Sequence, residues 1–218
     1  MTTLDYAKAR ELMVEQQIRP WDVGSARVLD VLQAMPREQF APAAHRNLAY
    51  ADLALPLPNG GYMLKPVIEG RMLQALDLAE TETVLEIGTG SGYLTACLAQ
   101  LAREVVSLEW NSATADAARR ALASQGIRNA HVENADAMTW ETDRRFDAIC
   151  VGGAVAQIPQ HFAEWLKPGG RMFVVHGYAP AMSAVLVTGG ANAASPQSLF
   201  ETDIPYLGGA APVPTFQL

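Results

Sequence analysis

The chain is poor in the residues that build disulfide frameworks and metal centres: it has 2 cysteines, Cys97 and Cys150, and 4 histidines, with no metal-like spacing among them. Both cysteines are therefore expected as small buried residues, and no metal is expected. A net charge of -7 with no long lysine or arginine run lacks the clustered positive surface that nucleic-acid phosphates require. No apolar run approaches the roughly 20 residues needed to cross a bilayer. The first residues show neither a basic leader nor an apolar signal core. No nucleic-acid or membrane partner is expected, and a cytoplasmic location is. His45, His131 and His161 are scattered and pair with no serine or cysteine in a triad-like context, which leaves hydrolysis without support.

What the chain does have is an apolar strand that runs straight into glycine, Val84-Leu85-Glu86-Ile87 followed by Gly88-Thr89-Gly90-Ser91-Gly92-Tyr93. Glycine permits a tight turn and close ligand approach, and the free amides at the start of a following helix bind polar groups. A dinucleotide fingerprint needs glycine at its sixth place, and counted from Gly88 that place is Tyr93, which disfavours NAD. The pattern acidic-x-Gly-x-Gly-x-Gly, led by Glu86, instead resembles motif I of the class I methyltransferases that use S-adenosylmethionine. A second apolar run, Val105-Val106-Ser107-Leu108-Glu109, ends in a carboxylate about 20 residues after the glycines, the spacing of a ribose-binding acid. Glu109 is expected to accept hydrogen bonds from both ribose hydroxyls.

Around these motifs the periodicity predicts helices over Tyr6–Ile18, stopped by Pro20, over Ser25–Met35 and over Pro66–Leu78. The stretches 36–42 and 55–61, dense in proline and glycine, read as ordered loop. From Thr83 onward apolar strands (84–87, 105–108, 131–133, 146–151, 171–176) alternate with helices, including 113–125 and a short one over 159–166 that Lys167-Pro168-Gly169-Gly170 would end. Segments 182–188 and 197–204 read as a C-terminal hairpin. The alternation implies an α/β fold, a doubly wound, mostly parallel Rossmann-like sheet with an N-terminal helical extension. One domain over 1–218 is expected, with residues 1–80 as extension and 81–218 as core and hairpin.

In such sheets ligands lie beyond the carboxyl ends of the strands, which singles out Gly88 to Gly92, Glu109, Asp136, Gly152-Gly153 and His176. By the methyltransferase resemblance, Gly88, Gly90 and Gly92 would hold the methionine portion of the cofactor, and Glu86 and Thr89 of the same motif would belong to the cofactor site. Asp136 would stand near the adenine amino group, and the Ala137 amide would reach a ring nitrogen. Trp110, directly after Glu109, is a candidate to flank the adenine.

Further blocks carry a closer resemblance: Met13-Val14-Glu15-Gln16-Gln17-Ile18, the stretch from Val31 through Pro36-Arg37-Glu38-Gln39-Phe40-Ala41-Pro42, Ala49-Tyr50-Ala51-Asp52 leading to Leu55-Pro56, and Val84 through Leu98. With Phe146 to Ala154, Ile158-Pro159 and Leu166 to Arg171, they make the chain similar to the protein-L-isoaspartate O-methyltransferase family over most of its length. The family's substrate loop usually reads glycine, glutamine, threonine, isoleucine, serine, any residue, proline. Here the matching stretch is Gly60-Gly61-Tyr62-Met63-Leu64-Lys65-Pro66, so Tyr62 and Leu64 stand where the small hydroxyls belong. Tyr62, Met63, Leu64 and Lys65 are thus expected to line the acceptor side, with Lys65 a candidate partner for an anionic group. A buried acceptor carboxylate facing Leu64 would lack hydrogen-bonding partners. The expectation is an S-adenosylmethionine-dependent methyltransferase with an altered small-molecule or peptide acceptor. The alternatives are true isoaspartyl repair and a non-enzymatic S-adenosylmethionine-binding module.

Overall fold

Thr83–Ile87 is buried at every position, and a strand covered on both faces and paired on both edges becomes the centre of a sheet. The computed structural model describes residues 4–58, 60–189 and 196–212. In chain order its elements are α1 (Tyr6–Met13), α2 (Ala26–Ala34), β1 (Leu55–Pro56), β2 (Tyr62–Met63), α3 (Pro66–Leu76), β3 (Thr83–Ile87), α4 (Tyr93–Leu101) and β4 (Glu104–Glu109). There follow α5 (Ser112–Ser124), β5 (Ala130–Asn134), β6 (Phe146–Val155), α6 (Gln160–Glu164), β7 (Leu166–Tyr178), β8 (Ala181–Thr188) and β9 (Gln197–Thr202).

The main sheet has the order β5-β4-β3-β6-β7-β8-β9. The five strands from β5 to β7 pair in parallel, and β8 and β9 are added antiparallel. The chain winds outward from β3 to β5 and then crosses to the other side of β3 at β6. That reversal opens a crevice beyond the ends of β3 and β6. The expected doubly wound, mostly parallel sheet is thus present. Side chains alternate across it: Val84, Val105, Ala148 and Cys150 join one core with α1 to α4, while Leu85, Ile87, Val106, Ile149 and Val151 join the other.

The N-terminal extension packs into the first core through Met13, Ile18, Leu32 and Phe40. Asp5 caps α1 by accepting from the Lys8 amide at 3.0 Å. The helix expected to stop at Pro20 continues from α1 as a π-helical turn, Val14–Ile18, and then a 3-10 turn, Arg19–Trp21, that contains the proline. Two glycine stretches expected to end elements lie inside strands instead. Lys167-Pro168-Gly169-Gly170 belongs to β7, where a Cβ on Gly170 would come within 3.0 Å of the Asp147 carbonyl. Gly152-Gly153 belongs to β6, at a register shift between Cys150 and Ala154. The expected hairpin exists as β8 and β9, and its connecting residues 190–195 lie outside the described residues.

Candidate active site

At the end of β3 the chain turns through Gly88, Gly90 and Gly92 with φ of 93°, 54° and 83°, backbone that side chains rarely adopt. The Gly88 and Thr89 amides donate to the Leu108 carbonyl at 2.8 and 3.2 Å, which ties the turn to β4. Gly92 then caps α4. At the end of β4 the Glu109 carboxylate accepts from the Gly90 amide and the Asn111 amide, each at 3.0 Å. It is 5% exposed, and burial raises its carboxyl above the usual range against those two amides. Asn134 fixes the same corner by donating to the carbonyls of Glu109 and Trp110 at 2.8 and 3.0 Å.

Three adjoining cavities follow this rim. The first is lined by Gly88, Gly90, Glu109, Trp110, Gly152 and Leu64, among others. A second is lined by Leu108, Trp110, Asp136, Ala137, Met138 and Leu207. A third lies between Tyr62–Leu64 on one side and Gly88–Ser91 on the other, with Glu69 and Leu94 also in its wall. The segment 205–208 crosses between the first two: the Ala154 amide donates to the Pro205 carbonyl and the Leu207 amide to the Ala154 carbonyl, both at 2.9 Å.

The residues present fit S-adenosylmethionine. A Cβ on Gly90 would approach the Tyr62 carbonyl at 3.5 Å and Leu57 at 3.6 Å, so the turn is a cradle that a side chain would fill. A buried carboxylate, Glu109, stands one step along the same rim. Asp136 and Ala137 line the next cavity, with Asp136 Oδ1 accepting from the Met138 amide at 2.9 Å. Trp110 is 63% exposed and packs against Gly208. Gly88, Thr89, Gly90, Glu109, Trp110, Asp136 and Ala137 are therefore brought together, as are Tyr62, Met63 and Leu64 across the turn.

Glu86, Gly92, Lys65 and His176 line none of these three cavities. Lys65 caps α3, and His176 pairs with Val155 and Ser183 in the sheet. Glu86 points beneath the turn, where its Oε2 accepts from Thr95 and Ser107 hydroxyls, each at 2.5 Å, and Ser107 meets the Thr89 hydroxyl at 2.6 Å. Its role is to support the turn from below. Burial pushes its carboxyl up to about 8, against the two hydroxyl bonds. In the unfolded chain this group ionises in the ordinary carboxylate range, so the folded state holds the extra proton and stability falls as pH rises from that range toward 8. We expect Glu86 to contribute a loss of about 2–4 kcal/mol of unfolding free energy between pH 5 and pH 8, alongside that of Glu69. Glu86→Gln should flatten that slope in denaturant titrations, and an unchanged slope would put the proton on another group.

Several residues of the site were not anticipated: Glu69, Asn111, Asn134, Ser107 and the segment Pro205 to Gly208. Asn111 had a local signal, an N-cap residue just after a strand end, and Glu69 had one in its place on the buried face of α3.

Residues 8–188 match the family described as protein-L-isoaspartate(D-aspartate) O-methyltransferase. The chain belongs to that family. It is a methyltransferase by that membership. A relative from Rhodopseudomonas palustris (strain HaA2), named protein-L-isoaspartate O-methyltransferase 1, is 42% identical over 79% of this chain and 71% of its own length. A namesake from Syntrophobacter fumaroxidans (strain DSM 10017 / MPOB) is 38% identical over 86% of this chain and 88% of its own. In fold the chain resembles a Plasmodium falciparum protein described by the same family name and crystallised with S-adenosyl-L-homocysteine. The TM-score is 0.80 at 16% identity, over 94% of this chain and 99% of that one. The names of the two bacterial relatives favour isoaspartyl transfer over the altered acceptor expected from Tyr62 and Leu64.

Proposed function

We propose that the chain transfers the methyl group of S-adenosylmethionine to the free carboxylate of isoaspartyl residues in proteins or peptides. The observation that carries this reading is the family match over residues 8–188, which spans both the acceptor loop and the cofactor turn. S-adenosylmethionine supplies an electrophilic methyl on a sulfonium. Gly88, Gly90 and the amides of the turn receive its methionine portion, Glu109 its ribose, and Asp136 with Ala137 its adenine. Leu64, Leu57 and Tyr206 wall the first cavity and keep water from the reacting atoms. The acceptor is already a nucleophile, so the protein has to align and desolvate rather than deprotonate it.

Two features make the loop compatible with this acceptor. Tyr62 is 46% exposed at the cavity wall, so its side chain is not locked into the core. The Leu64 carbonyl is held by Arg37, which fixes the loop backbone without a side-chain hydroxyl. The test is methyl transfer to an isoaspartyl peptide and to its aspartyl isomer at saturating cofactor. We expect transfer to the isoaspartyl form only, and less than about tenfold gain in the double variant Tyr62→Thr, Leu64→Ser, a ceiling set by one hydrogen bond of about 1.4 kcal/mol. Cofactor binding without transfer to either peptide would overturn the proposal, and a gain above a hundredfold would restore the altered acceptor.

A further inference from the structure

In the wall of the third cavity, between the acceptor loop and the glycine turn, lies a carboxyl group that the proposed reaction does not require. Glu69 of α3 is 2% exposed and faces a space otherwise bounded by Tyr62–Leu64, Gly88–Ser91, Leu94 and Gly152. Arg37 is fully buried and lines none of the three cavities. Its Nη1 donates to Glu69 Oε2, its Nη2 to the Leu64 carbonyl and its Nε to the Ala49 carbonyl at 2.7 Å. Of the two charged residues of this buried pair, the acidic one lines the cavity and the basic one does not.

The other titratable groups around this carboxyl are Tyr93 and Cys97 of α4, Glu86 of β3 and Cys150 of β6. Burial pushes all four up. Near neutral pH the charge presented from this side is thus set by Glu69 and Arg37, with Glu109 farther along the rim. Burial pushes Glu69 itself up to about 7, while Arg37 pulls it down.

We propose that Glu69 is the charge-discriminating residue of the cofactor site, its Arg37-held carboxylate favouring the sulfonium substrate over the thioether product. The inference rests on the S-adenosylmethionine reading above. In methyl transfer the acceptor oxygen forms a bond to the methyl carbon, the carbon–sulfur bond breaks and its electron pair stays on sulfur. The sulfonium charge and the acceptor charge vanish together, and no proton moves. The methionine ammonium and carboxylate are common to both ligands, so sulfur is where substrate and product differ in charge. An attraction to the sulfonium is strongest before transfer and absent after it, so Glu69 tightens substrate binding, leaves product binding nearly unchanged and does not raise the chemical rate.

A nearby cation favours ionised Glu69, so S-adenosylmethionine should expel a proton on binding near or below pH 7 and its affinity should rise with pH through that region. S-adenosylhomocysteine should do neither. The experiment is calorimetry of both ligands with the natural chain and Glu69→Gln, at pH 6.5 and 8, in buffers of different ionisation heat. At pH 8 the variant should lose about tenfold in affinity for S-adenosylmethionine and less than twofold for S-adenosylhomocysteine, the size of one screened, partly offset charge pair. In kinetics KM for S-adenosylmethionine should rise with kcat unchanged or higher. Equal losses for the two ligands would assign Glu69 to their shared ammonium and overturn the proposal, as would no loss for either. Failure of the natural chain to bind either ligand would instead overturn the cofactor reading. Should Glu69→Gln fail to fold, the proton-release comparison on the natural chain decides alone: equal proton release with both ligands overturns the inference.

Discussion

Gly152→Ala is expected to keep the fold and lose about a hundredfold in methyl transfer. Gly152 sits in β6 directly against the end of β3, and a Cβ there would stand 2.8 Å from the Gly88 carbonyl oxygen and 3.3 Å from that of Ile87. Both neighbours are backbone, so no side chain can swing away. The contact resolves only if the glycine turn moves outward from the sheet, carrying the Gly90 amide away from Glu109. Overpacking of this kind costs about 1–3 kcal/mol of stability, while a displacement approaching 1 Å in a positioning element costs about a hundredfold in rate. Gly24→Ala is the matched control, because nothing lies within 4 Å of its Cβ and its φ is ordinary. Circular dichroism with a transfer assay on both variants checks the pair. Wild-type transfer by Gly152→Ala would mean that the turn does not rest on β6.

Such a contact explains which parts of the site were legible in the sequence. The glycine turn and Glu109 are local features, a strand end followed by a helix start and an acid at a fixed spacing, and the structure puts them on one rim. Glu86 carries the same motif, but the period of two along β3 sends its side chain to the face of Val84, under α4, and away from the crevice. Reading the alternation would have separated it from the glycines. Glu69 also left a trace, as a carboxylate at helical spacing from Pro66, Met72, Leu73 and Leu76, on the face of α3 that is otherwise apolar. Its partner Arg37 lies 32 residues away, and nothing local shows that an arginine in a proline-flanked turn is fully buried. The segment 205–208 reaches the crevice only because Ala154 holds it by backbone hydrogen bonds, which carry no side-chain signature.

The second large effect is expected at that arginine: Arg37→Ala should cost about 3–5 kcal/mol of stability, the loss typical when one partner of a buried ion pair is removed. Three acceptors lose their donor at once, the Glu69 carboxylate and the carbonyls of Ala49 and Leu64. The Tyr93 ring, 4.6 Å from the guanidinium, loses its cation. The loss should depend on pH, and its sign follows from Glu69. Burial already raises that carboxyl to about 7 with the guanidinium in place, so without it the proton is held to still higher pH. Below about pH 6 the abandoned group is neutral in both proteins and the cost reduces to the missing hydrogen bonds. At pH 8 the natural chain keeps its ion pair, and the variant must either bury a bare charge or hold a proton against the solvent. The difference between the two proteins should therefore be larger at pH 8 than at pH 6 in denaturant titrations. The double variant Arg37→Met, Glu69→Leu removes both charges at similar volume and should regain much of the loss at pH 8. Recovery should be incomplete, since two buried carbonyls remain without their donor at about 1–3 kcal/mol each. A cost for Arg37→Ala that is the same at both pH values would show that the guanidinium serves the loop carbonyls and not the carboxylate. The charge placed at the acceptor cavity would then need another source.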